Sequence, residues 1–94
     1  MTNSNLCTIF VNGSKNNAHT LSMHINFDGS KLFSYGTVIG QKLANGSIII
    51  NDTKYSPTTS KHQCYLRCAI PKGLAVHHTT KRVPMWTTDL TPYM

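Results

Sequence analysis

His62, Cys64 and Cys68, with His77 or His78 further along, are the residues whose types come nearest to specific chemistry. Imidazole and thiolate are the ligands that borderline-soft Zn²⁺ takes at its four tetrahedral positions. Their spacing argues against a metal centre. Cys64 and Cys68 stand four apart in a segment that reads as helix, without a Cys-x₂-Cys knuckle, and His62 falls on a different helical face from Cys64. The thiols therefore read as buried or indifferent cysteines, and the sequence implies no cofactor. The adjacent imidazoles of His77 and His78 titrate near neutrality, as an acid–base pair would need. On a strand, however, the two rings point to opposite faces, one packed and one solvated.

Carboxylates are limited to Asp28, Asp52 and Asp89. Asp28 precedes a glycine and reads as a turn former, and Asp52 follows a strand. Paired carboxylates and a glycine-rich phosphate loop are both missing from the sequence, so it predicts a protein without enzymatic activity. The competing enzymatic reading uses His62, His77 or His78 as a general base.

The basic residues are more informative. Nine Lys and Arg stand against three Asp and no Glu, for a net charge of +6 and a pI near 9.5. Such a field favours polyanionic partners. Lys54, Lys61, Arg67, Lys72, Lys81 and Arg82 all fall in a stretch, 54 to 82, that holds no acidic residue. Lysine and arginine neutralise phosphates, while aromatic rings stack on unpaired bases, which marks Tyr55 and Trp86 as contacts; Tyr65 reads as core. The hydroxyls of Thr58, Thr59 and Ser60 cap a helix, and with Lys61 and the helix amides they could receive a phosphate or a partner's carboxylate. The basic set is thus the expected binding surface, with Tyr55, Thr59, Ser60 and Trp86 as aromatic or anion contacts. The charge pattern points to a partner with an acidic surface, a protein or nucleoprotein complex, or alternatively DNA or RNA.

The elements that must position these residues follow from periodicity and turn chemistry. Leu6 to Val11 reads as a strand, followed by a polar loop through Lys15-Asn16-Asn17. Strict alternation places Leu21, Met23, Ile25 and Phe27 on one face of a second strand. Asp28-Gly29 and Asn45-Gly46 suit tight hairpins and delimit strands at Leu32 to Leu43 and Ser47 to Ile50. Gly36 and Gly40 interrupt the first of these as a bulge or a close approach. Three successive isoleucines, Ile48 to Ile50, predict a strand covered on both faces.

A helix is expected from the Thr58-Thr59-Ser60 cap to Ile70, with His62, Tyr65, Leu66, Ala69 and Ile70 inward and Gln63, Cys64 and Arg67 outward. Leu74 to His78 and Arg82 to Trp86 are weaker strand candidates, and Thr87 to Met94 has no period. The fold class is α+β, a small antiparallel sheet with a three-stranded meander and flanking strands, covered by one short helix. One domain spans 1–94. Asn12-Gly-Ser, Asn45-Gly-Ser and Asn51-Asp-Thr fit the glycosylation acceptor pattern, and turn chemistry explains them.

Apolar residues are 39% and mean hydropathy is −0.23, an ordinary globular balance. No apolar run approaches the roughly 18 to 20 residues of a membrane helix, and Met1 to Asn5 lacks the blocks of a signal peptide. Three cysteines leave one unpaired, against a secreted disulfide scaffold. A cytoplasmic location is expected.

Phe33-Ser34-Tyr35-Gly36-Thr37-Val38-Ile39-Gly40, followed by Tyr55-Ser56-Pro57-Thr58-Thr59-Ser60-Lys61-His62-Gln63, resembles small proteins of tailed bacteriophages and mobile elements. The resemblance covers about a third of the chain and implies no shared reaction. It implies an accessory role in the host cell, an anti-CRISPR-like or other anti-defence protein that binds and inhibits or redirects a nucleic-acid-handling complex.

Overall fold

In a computed structural model, the protein is described over residues 2–13, 17–19 and 24–94. A six-stranded sheet runs in simple chain order: β1 (Asn17–His19), β2 (Ile25–Asp28), β3 (Lys31–Ser34), β4 (Thr37–Lys42), β5 (Ile48–Ile50) and β6 (Val76–His78). Successive pairs are antiparallel except β5 and β6, which are parallel because helix α2 (Pro57–Ala69) carries the chain back between them. The α+β class and the meander are as the sequence predicts.

The N-terminal run is a correction. Leu6 to Val11 lies not in a strand but in helix α1 (Asn3–Asn12). The Thr2 hydroxyl accepts from the amide of Asn5, and Gly13 closes the helix in the left-handed conformation with φ 72°. Leu6, Cys7 and Phe10, at helical spacing, are all fully buried. Tertiary burial of this face outweighs the β-propensity of Thr8, Ile9 and Val11. Of the expected second strand, Ile25 and Phe27 stand in β2, whereas Leu21, Ser22 and Met23 lie outside the described residues, as do Lys15 and Asn16 of the expected loop.

The predicted strand from Leu32 to Leu43 is in fact two. Ser34 pairs with Thr37 across a two-residue turn in which Tyr35 (φ 51°) and Gly36 (φ 81°) are both left-handed, the type I′ geometry that matches strand twist. Gly40 serves close packing. A Cβ there would stand 2.6 Å from Leu66 Cδ2 and 3.6 Å from the Phe10 ring, so the missing side chain lets both helices settle on β4. Beside it the register shifts, leaving Ile39 as the extra residue opposite Leu32 and Phe33.

Each sheet face has its own core. Leu6, Cys7 and Phe10 of α1 and Leu66 of α2 pack against Ile25, Phe27, Leu32, Ile39, Ile48 and Ile50. The opposite face buries Val38 and Ile49 under Val83 and Leu90. The isoleucine triplet is thus covered on both sides, and its second cover is the C-terminal segment. Arg82 to Trp86 is not a strand, and Thr91–Tyr93 forms a short 3₁₀ turn. Side chains hold this segment in place. Thr53 Oγ1 accepts from Val83 N (2.9 Å), Thr37 Oγ1 from Trp86 N (2.8 Å) and Gln41 Oε1 from Leu90 N (2.8 Å). Full burial of Leu90 adds roughly 1.5–3 kcal/mol to these contacts.

Candidate functional site

The α2 N-terminus, the β3–β4 turn and the C-terminal segment converge on a cleft of about 460 Å³. Its walls are aromatic: Tyr35 from the turn, Tyr55 from the approach to α2, and Trp86 with Met85 from the C-terminal segment. Its cations are Lys54 and Arg82, and its floor carries the hydroxyls of Ser34, Thr37, Ser56, Thr58 and Thr59. No carboxylate stands among these described lining residues.

Backbone geometry sets the aromatic rings. Among the described residues two non-glycine residues have positive φ, Tyr35 (51°) and Trp86 (68°), and both line this cleft. Trp86 occupies the third position of the Pro84–Thr87 turn, where Thr87 N donates to the Pro84 carbonyl at 3.4 Å. A positive φ at that position is ordinarily left to Gly or Asn. Such conformations cost on the order of 1–3 kcal/mol each and cluster at ligand sites. Trp86 is nevertheless 69% exposed, with its indole lying over Gly36.

Tyr55 is oriented by its hydroxyl, which donates to the Val83 carbonyl (2.5 Å) and accepts from Asn51 Nδ2 (3.0 Å). The Tyr35 ring makes stacked contacts with two imidazoles, His24 at 4.7 Å and His62 at 6.0 Å between centroids. Below it, Ser34 Oγ and His62 Nδ1 share a 2.6 Å hydrogen bond, with Thr59 Oγ1 3.4 Å from the same Ser34 oxygen. Burial, and secondarily the charge on His24, pushes the His62 pKa down, so its neutral form is favoured.

This Ser–His contact has the makings of a nucleophile and base, but Ser34 is 1% exposed. The three carboxylates lie elsewhere: Asp52 on His78 (2.7 Å), Asp89 on Gln41 (3.1 Å) and Thr91, and Asp28 at the end of β2. The geometry is that of a pin fastening β3 to α2 under the cleft.

The sequence-predicted residues divide accordingly. Lys54, Tyr55, Thr59, Arg82 and Trp86 come together in the cleft. Lys81 lies beside it, in a depression that shares Lys54 and Arg82. Ser60 and Lys61 are not among its lining residues, and Lys72 is on the loop after α2. Arg67 sits 4.0 Å from Asp52. Thr59 is almost wholly buried, its hydroxyl turned to Ser34 and Ser56. The helix cap itself is Ser56, whose Oγ accepts from Thr59 N (3.2 Å), with Pro57 in the first turn.

Other side chains move from their expected places. Gln63 is inward, donating to the carbonyls of Asn51 (2.6 Å) and Thr53 (2.9 Å). His77 and His78 are both exposed, because β6 is a sheet edge. Cys64 and Cys68 are exposed free thiols, and Cys7 is buried. No group of three or more His, Cys, Asp or Glu is placed to hold a metal ion among the described residues. Sequence reasoning missed Tyr35, Met85 and Ser56. For Tyr35 the signal was present, since Tyr-Gly between two β-prone runs suits a two-residue hairpin.

The fold and site define a small α+β domain with a basic, aromatic-walled cleft. The chain belongs to a family of unknown function, DUF8033, which matches residues 6–67. That span contains the β3–β4 turn and the Lys54–Thr59 wall, while Arg82, Met85 and Trp86 follow it. No curated protein and no solved structure matches the chain. No helix among the described residues is long and apolar enough to cross a membrane.

Proposed function

We propose that this protein is a non-enzymatic binder of single-stranded nucleic acid, stacking an unpaired base on the exposed Trp86 indole, beside Tyr35, and holding the adjoining phosphate on Lys54 and Arg82. The observation that carries this reading is the pairing of two left-handed aromatic residues with two cations in one cleft that has no carboxylate among its described lining residues. Base–aromatic stacking contributes roughly 1–3 kcal/mol per base and tolerates any sequence. Phosphate neutralisation adds a salt-dependent attraction. A duplex keeps its bases paired and stacked and offers such a cleft only its backbone.

The test uses the sole tryptophan of the sequence as its probe. Titration with single-stranded oligonucleotides should quench Trp86 fluorescence saturably at low salt, and duplex of equal length should do so far less. Absence of quenching, with binding instead to an isolated protein from a host nucleic-acid-handling complex, would transfer the cleft to a protein partner. That outcome is the one the phage-like motifs imply, an anti-CRISPR-like inhibitor acting in the host cytoplasm, and it would refute the nucleic-acid reading.

A further inference from the structure

Beside the aromatic cleft lies a second depression of about 250 Å³, formed where the loop after β5 meets the loop after β6. Lys54 and Arg82 line both hollows, so the two are lobes of one groove divided by a pair of cations. The second lobe adds Lys81 and has no aromatic wall among its described lining residues, which beyond the cations are Thr53, Thr79, Thr80 and Asp52. Its threonines are structural. Thr53 Oγ1 accepts from Val83 N (2.9 Å), Thr79 Oγ1 from Asp52 N (3.1 Å), and Thr80 N donates to the Tyr93 carbonyl (2.7 Å). The one carboxylate, Asp52, is already engaged, by His78 at 2.7 Å and by Arg67 at 4.0 Å. Three cations therefore outnumber one compensated anion in this lobe.

An aromatic hollow takes a base, and a cationic hollow without rings takes a phosphate. We infer that the second lobe is a phosphate subsite, and that the ligand is an oligonucleotide of at least two consecutive phosphates rather than a free mononucleotide. The first phosphate lies between Lys54 and Arg82, and the next on Lys81. This rests on the nucleic-acid reading of the cleft and specifies the ligand that cleft takes.

The experiment compares thymidine 5′-monophosphate with 5′-phosphorylated oligothymidylates of two and four nucleotides, which carry two and four phosphates, by Trp86 quenching across a salt series, for wild type and Lys81→Ala. Lys81 is exposed, and circular dichroism verifies that the variant folds. Affinity should rise steeply from the monophosphate to the tetranucleotide. K81A should lose roughly 3- to 10-fold for the tetranucleotide at low salt and lower its salt slope by about 0.7, with a clearly smaller loss for the monophosphate. Equal affinity for monophosphate and tetranucleotide, or an unchanged salt slope in K81A, would overturn the second subsite while the cleft stands. No quenching by any of these ligands would overturn both.

Discussion

The indole of Trp86 lies on the backbone of Gly36 so closely that a Cβ at Gly36 would stand 2.6 Å from its Cε3 atom. A glycine in one turn thus seats the exposed aromatic of another, and both residues have left-handed backbones. Gly36→Ala should displace the indole and, at φ 81°, destabilise the protein by about 1 kcal/mol or more. Thermal unfolding with Trp86 emission as a second readout checks both effects.

Trp86→Gly acts in the opposite sense. Glycine relieves the left-handed strain at φ 68°, so the melting temperature should hold or rise. Binding of a labelled single-stranded oligonucleotide should fall on the order of tenfold with the loss of one stacked base. A variant that is both less stable and equally competent to bind would show that Trp86 serves the fold alone.

Protonation of His62 should weaken the fold. Burial depresses its folded-state pKa below that of the unfolded chain, and the groups facing it, Ser34, Thr59, Tyr35 and His24, offer no negative charge to an imidazolium. The unfolded state takes the proton first as pH falls through about 6.5, so stability is fully present above that pH and declines below it. Urea unfolding at pH 7.5 and pH 5 measures this. His62→Asn should be less stable at pH 7.5 but lose less between the two.

Thiol reactivity should separate the three cysteines. Cys64 and Cys68 are exposed on α2, whereas burial pushes the Cys7 thiol up to about 12. In the folded protein a thiol reagent should modify two groups, with the third following only in denaturant.

Much of the fold is legible in the residues, and the exceptions have physical causes. Asp28-Gly29 and Asn45-Gly46 mark turns, and the isoleucine triplet announces a strand buried on both faces. Leu6 to Val11 misleads, because β-branched residues are also compatible with a helix when Leu6, Cys7 and Phe10 bury one side and Thr2 and Gly13 cap its ends. Gly36 reads as an interruption of one strand because the residue before it is tyrosine rather than the usual Asn or Asp. The C-terminal segment has no period since it is held by side chains of Thr37, Gln41 and Thr53 at single points, and such partners are distant in sequence. For the same reason charge counting singles out Lys54, Lys81 and Arg82, which line one groove, but cannot separate them from Arg67, which lies by Asp52.

Fluorescence anisotropy of labelled single-stranded and duplex DNA and RNA with the purified protein across a salt series measures directly whether the cleft takes unpaired nucleic acid. Single strands should bind with micromolar or tighter affinity at low salt and in preference to duplex, and the affinity should decline steeply with salt. No binding at low salt, or binding whose affinity does not change with salt, would contradict the nucleic-acid reading.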